Sequence, residues 1–216
     1  MKSFFRNTTL IIMLLTSFVS KTFAQPSSSI DDAALLIIDV QNDYFPGGNM
    51  ELVGADAAGE KTKKLLEYFR DKGRPVIHIQ HIATNEGATF FLPNTKGAEI
   101  SHYVTPKDGE KVFTKHFPNS FRDTGLEAYL KAQGITKLVI TGMMTDVCVA
   151  STTRAAFDLQ FRNNIVVSDA IATRDRQLQG KTINAATINK SYLGGLSALG
   201  GLYTQVKTTQ QILNNQ

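Results

Sequence analysis

From Ala33 the chain runs Ala-Ala-Leu-Leu-Ile-Ile without a polar interruption and then meets Asp39. An apolar run with no alternation predicts a strand buried on both faces. The same signature recurs over 75–82, 137–141 and 164–168, with a weaker copy near 202–206 and a short strand-like piece over 111–116. Helical spacing fills the intervals. Residues 55–72 place Leu65, Leu66 and Phe69 on one face before Gly73, and 123–133 end at Gly134, glycine being a common helix stop. Residues 149–161 and 181–199 complete the helical set.

Strand and helix alternate throughout, which predicts an α/β fold: a doubly wound, mainly parallel sheet with helices on both faces. At 216 residues and 42% hydrophobic composition the chain fits one core, so 34–216 reads as a single domain. Residues 83–110 are too long for an idle connection and read as a functional loop or lid.

The first 24 residues are different in kind. Lys2 and Arg6 precede a mostly apolar stretch over 10–19, and Thr22-Phe23-Ala24 has the small-residue character of a cleavage site. The apolar stretch falls short of the roughly 20 residues needed to span a bilayer. A secretory signal over 1–24 is expected, with a polar linker over 25–33 and a mature protein in the periplasm or secreted, not held in a membrane. Loss of Lys2, Arg6 and Lys21 lowers the basic count from 23 to 20 against 19 acids. No basic patch remains, which excludes nucleic acid as a partner.

Cys148 is the single cysteine, so no intrachain disulfide is possible. A lone thiol in an exported protein is either a small buried hydrophobe or a reactive group. It follows the strand ending near Thr141 and precedes a predicted helix, and a helix N-terminus lowers a thiol pKa and offers free N–H groups to an oxyanion. Asp39 also stands at a strand end, where a parallel sheet places its ligands; a carboxylate after an apolar run needs a partner or a task, a turn cap being the plain alternative. Lys115 closes the strand-like piece, though most lysines are simply solvated.

Three motifs in order resemble the isochorismatase-like cysteine hydrolases, a group related to the nicotinamidases. They are Asp39-Val40-Gln41-Asn42-Asp43, Lys115 with Pro118-Asn119-Ser120-Phe121, and Gly142-x-x-Thr145-x-x-Cys148-Val149. The resemblance implies a catalytic triad of Asp39, Lys115 and Cys148, an oxyanion hole from the Thr145 and Cys148 amides, and a cis peptide at Met144-Thr145. It also implies a homo-oligomer acting on a small amide-type substrate, with no cofactor. The nucleophilic cysteine favours C–N substrates over a vinyl ether.

Nicotinamidases carry an Asp-x-His…His metal site, and here that region reads His78-Ile79-Gln80-His81 without the aspartate. Period two puts His78 and His81 on opposite faces of a strand, so no metal site is expected. Gln41, Phe90, Phe91, His102, Phe117 and Phe121 are candidates for the substrate pocket. The competing readings are a metal-assisted nicotinamidase and a non-catalytic binding or redox-sensing protein that uses the thiol alone.

Overall fold

The structure, a computed structural model, describes Ile30 and residues 32–214. The expected signal segment 1–24 and most of the linker lie outside the described residues. Six parallel strands form one sheet: β1 (Ala33–Ile38), β2 (Val76–His81), β3 (Lys111–Lys115), β4 (Lys137–Met143), β5 (Ile165–Ala172) and, later in the chain, β8 (Gln205–Lys207). Their order is β3-β2-β1-β4-β5-β8. Between β5 and β8 a small antiparallel hairpin, β6 (Arg176–Leu178) and β7 (Lys181–Ile183), stands apart from the sheet.

β1 shows why its sequence lacks alternation. Leu35 and Ile37 point into one apolar layer with Leu65, Leu66 and Phe69 of α1 (Ala55–Asp71). Ala34, Leu36 and Ile38 point into the other, with Leu126 and Leu130 of α2 (Leu126–Ala132) and Ala156 of α3 (Ala150–Asp158). Both faces are covered, so every residue of the strand is buried. The remaining helices are α4 (Ala185–Leu196), the short α5 (Ala198–Gly201) and α6 (Thr209–Leu213).

Several boundaries differ from expectation for local reasons. β1 already begins at Ala33 and Ile30 is buried, so the ordered core starts inside the expected linker. Asp123 and Gly125 take positive φ, and α2 starts only at Leu126. The helix expected over 181–199 begins after Asn184, whose side chain accepts from the Thr187 amide; upstream, positive φ at Gln179 and Gly180 folds the β6–β7 hairpin instead. The last strand sits at Gln205–Lys207 because it pairs with Ile165, Val166 and Val167.

Strand order turns at β1 and β4: β2 and β3 lie on one side, β5 and β8 on the other. The crevice beyond the carboxyl ends of β1 and β4 is the switch point at which such sheets bind ligands.

Candidate active site

Four neighbouring strand ends converge there. Asp39 follows β1, His81 ends β2, Lys115 ends β3, and Cys148 lies in the segment after β4. The Lys115 ammonium is fully buried, 2.7 Å from Asp39 Oδ2, 2.9 Å from His81 Nδ1 and 3.3 Å from Cys148 Sγ. The structure thus brings together Asp39, Lys115 and Cys148, and adds His81, which was not among the site residues expected from the sequence. Ligand atoms of Asp39, His81 and Cys148 lie within 4.8 Å of one another, with Lys115 Nζ among them. His78 faces the other way, as period two requires: its Nε2 meets Glu110 at 2.9 Å.

The four polar residues of the first motif have distinct tasks. Asp39 takes a φ of 50° directly after the strand, which turns the chain at the point where its carboxylate must face the crevice. Gln41 is wholly buried and spends its amide on backbone. Its Oε1 accepts from the His81 N–H at 2.7 Å, and its Nε2 donates to the His81 and Ala98 carbonyls at 2.9 and 2.7 Å. Asn42 Nδ2 donates to the Lys96 carbonyl at 2.8 Å. Asp43 accepts from the Asn49 and Phe91 amides at 3.1 and 2.6 Å. The long loop 83–110 is therefore pinned over the site by the motif that also supplies Asp39.

The second and third motifs are tied to each other. Ser120 Oγ lies 2.9 Å from Thr152 Oγ1, which also accepts from the Ser120 N–H at 3.0 Å. This locks the segment after Lys115 to α3, immediately beyond Cys148. At Gly142, φ is +119° and an added Cβ would stand 1.9 Å from the Ile38 carbonyl oxygen, so only glycine lets β4 approach the end of β1. The cis peptide lies between Met143 and Met144, at the end of β4 and one bond earlier than the resemblance implied.

Cys148 lies within a single π turn, Thr145–Val149, that leads into α3. Its environment reverses the expectation of a lowered thiol pKa: burial first, then the neighbouring Asp39 charge, pushes it up, and Lys115 offsets only part of this. Burial likewise raises Asp39 above the usual carboxylate range, with Lys115 pulling the other way. For Lys115 burial disfavours the ammonium, but Asp39 and Cys148 outweigh it and the net direction is up. His81 is held down to about 3 by burial, then by Lys115 and His116. These directions favour a protonated thiol beside an ammonium, a carboxylate made a stronger base, and a neutral imidazole.

The π turn is braced from the β6–β7 side. Asp146 receives Arg176 Nε and Nη2 at 2.9 and 2.8 Å and the Thr173 hydroxyl. An aromatic wall rises opposite: Phe91 packs against His81 at 5.8 Å, against Tyr44 at 4.6 Å and against Phe90 at 4.9 Å between ring centroids. Phe90 and Phe91 are therefore placed beside the site, and Tyr44 joins them.

The other pocket candidates go elsewhere. Gln41 is a buried brace. His102 is exposed, lies tilted against Tyr103 with ring centroids 4.2 Å apart, and lines a separate open cleft of about 560 Å³ with Asn42, Phe45 and Asp56, a cleft that Asp39, Lys115 and Cys148 do not line. Phe117 lies under the Arg122 guanidinium at 3.5 Å. Phe121 stacks on Phe161 at 5.5 Å within the apolar layer beneath α3. Period two and aromatic character do not distinguish these positions from Phe91; the fixing bond from the Phe91 amide to Asp43 does.

A family profile described as the Isochorismatase domain matches residues 33–192. The chain is 36% identical over 194 residues to the secreted isochorismatase effector Isc1 of Verticillium dahliae, covering 89% of this chain and 98% of that protein. Among solved structures it is similar to a putative isochorismatase hydrolase from Oleispira antarctica, at 42% identity and TM-score 0.79, covering 86% and 98% of the two chains. It is also similar to N-carbamoylsarcosine amidase from Thermoplasma acidophilum, at 25% identity and TM-score 0.68, covering 82% and 96%.

Proposed function

The chain belongs to the isochorismatase family, and from that premise we propose that this hydrolase cleaves the C–N bond of a small amide or carbamoyl compound through a thioester on Cys148. One observation carries the reading: a single buried ammonium reaches both the Asp39 carboxylate and the Cys148 sulfur. Similarity to an N-carbamoylsarcosine amidase supports the bond type.

In this reading Asp39 takes the thiol proton as sulfur attacks the carbonyl carbon. The proton moves between two acceptors of the same ammonium. Before transfer the site holds carboxylate, ammonium and thiol; after it, carboxylic acid, ammonium and thiolate. Net charge is unchanged, so a buried site avoids creating an uncompensated ion. The Thr145 and Cys148 amides, at the opening turn of a helical segment, receive the oxyanion. The C–N bond breaks as the amine leaves with the proton from Asp39. Water then gives a proton to Asp39 and attacks the thioester, and the thiol is restored.

The N-terminal segment and the similarity to a secreted protein support an exported enzyme, periplasmic or secreted. A homo-oligomer is part of the reading, as the family resemblance implies. Ammonia release from nicotinamide, ureido acids and small primary amides tests the activity. Wild type is expected to turn over at least one class, and Cys148→Ala none with unchanged unfolding. A Cys148→Ala variant working at the normal rate overturns the assignment.

A further inference from the structure

A lysine ammonium has three hydrogens and accepts none. Three acceptors surround the Lys115 nitrogen: it is hydrogen-bonded to His81 Nδ1 at 2.9 Å and Cys148 Sγ at 3.3 Å and ion-paired with Asp39 Oδ2 at 2.7 Å. Two of these acceptors belong to the triad, while His81 has no part in it. Because Lys115 must donate, His81 Nδ1 accepts, and the ring hydrogen is confined to Nε2.

The histidine is itself held with unusual care. Gln41 grips its backbone at both the N–H and the carbonyl, its ring packs on Phe91, and its Cα is the register partner of Lys115 across β2 and β3. The charged and titratable groups around it are Lys115, Asp39, Cys148 and His116, and the imidazole stays neutral among them.

We propose that His81 is a positioning residue for this site: its Nδ1 fixes the third hydrogen of Lys115, so that the other two stay aimed at the Asp39 carboxylate and the Cys148 sulfur. Without that acceptor a fully buried ammonium keeps one unsatisfied donor, which disfavours the charged form and weakens its hold on the thiolate. Gln41 acts one step further back, by setting the height of the histidine.

The inference rests on the triad reading above, but its test needs no substrate, so the two can fail separately. The readout is the rate of Cys148 alkylation by iodoacetamide across a pH series, in the full-length protein. His81→Leu and His81→Gln place no acceptor at the Nδ1 position, whereas His81→Asn places its Oδ1 close to it. The Leu and Gln variants are expected to react at least ~10-fold more slowly at neutral pH, with the profile moved to the alkaline side by about one unit. The Asn variant is expected to return to within about threefold of wild type. Using both Leu and Gln keeps the comparison available if one of them folds poorly. Wild-type rate and profile in whichever of the two folds, or an Asn variant no faster than it, overturns the proposal.

Discussion

Lys115 Nζ and Asp39 Oδ2 are 2.7 Å apart with both side chains at zero exposure. Removing one partner leaves an uncompensated charge in the sheet's switch crevice, at a cost of about 3–5 kcal/mol. Lys115→Met alone is therefore expected to lower unfolding stability sharply. The double variant Asp39→Asn with Lys115→Met is expected to recover most of that loss and none of the activity. Denaturant melts alongside ammonia-release assays read both; a double variant no more stable than the single one contradicts the pairing.

Gly142 gives a test of the strand contact that sets the site. A methyl there meets the Ile38 carbonyl at 1.9 Å while φ is +119°. Gly142→Ala is expected to destabilise by roughly 3 kcal/mol or more, since neither the backbone angle nor the space permits a side chain. Equilibrium unfolding checks this, and a variant within about 1 kcal/mol of wild type speaks against the close approach.

The Asp146–Arg176 pair holds the π turn from outside the reacting groups, with side-chain exposures of 8% and 34%. A partly exposed pair contributes little to global stability. Arg176→Met is therefore expected to leave the unfolding midpoint nearly unchanged while turnover falls by about tenfold, or ~1.4 kcal/mol of barrier, through a loosened nucleophile loop. Steady-state kinetics with KM and kcat separated would show the loss in kcat; unchanged kcat removes the bracing role.

Acid sensitivity follows from three groups of one sign. Burial lowers His78 and takes His81 from 6.5 to about 3, so the unfolded chain binds protons that the fold refuses. For Glu110 burial works upward, but Arg70, the Lys107 amide and His78 take it from 4.5 down to about 2. The histidine contributions are present above about pH 6.5 and are lost as pH falls toward the folded values; that of Glu110 is present above about 4.5 and lost toward about 2. Stability is expected to decline from just below pH 6.5 by at most ~1.4 kcal/mol per unit for each histidine. Urea midpoints measured against pH should show a shallower slope for His81→Asn, and an identical slope counts against a neutral, half-buried His81.

The parts of this picture legible in the sequence are those set by local pattern. Apolar runs without alternation located β1, β2 and β4, because a strand buried on both faces shows no period. A polar residue at the end of such a run, Asp39, marked a strand end in an open crevice. Lys115 could be singled out only through the family motif, since one lysine closing a short strand resembles any solvated lysine. His81 was missed as a partner of Lys115 because their meeting depends on the register between β2 and β3, which pairs those two residues across 34 positions. The direction of the Cys148 shift was also hidden. A helix start was readable near Val149, but the burial and the Asp39 charge that raise the thiol are properties of the assembled sheet. The expected helix over 181–199 takes in β7, and β6 just before it goes unread, because strands of three residues each are too short to show a period.

The central claim is that Cys148 carries the acyl group, with Asp39 needed to release it. Intact-mass measurement on wild type, quenched in acid during turnover of a responsive amide, addresses it directly, with Asp39→Asn expected to form no adduct because it lacks the base for the thiol proton. The account predicts an adduct equal to the substrate's acyl group, located on the Cys148 peptide, labile to hydroxylamine and absent in Cys148→Ser. Turnover that proceeds in the wild type while the same substrate leaves no thioester on Cys148 under any quench time, and while Cys148→Ser keeps the full rate, would contradict it.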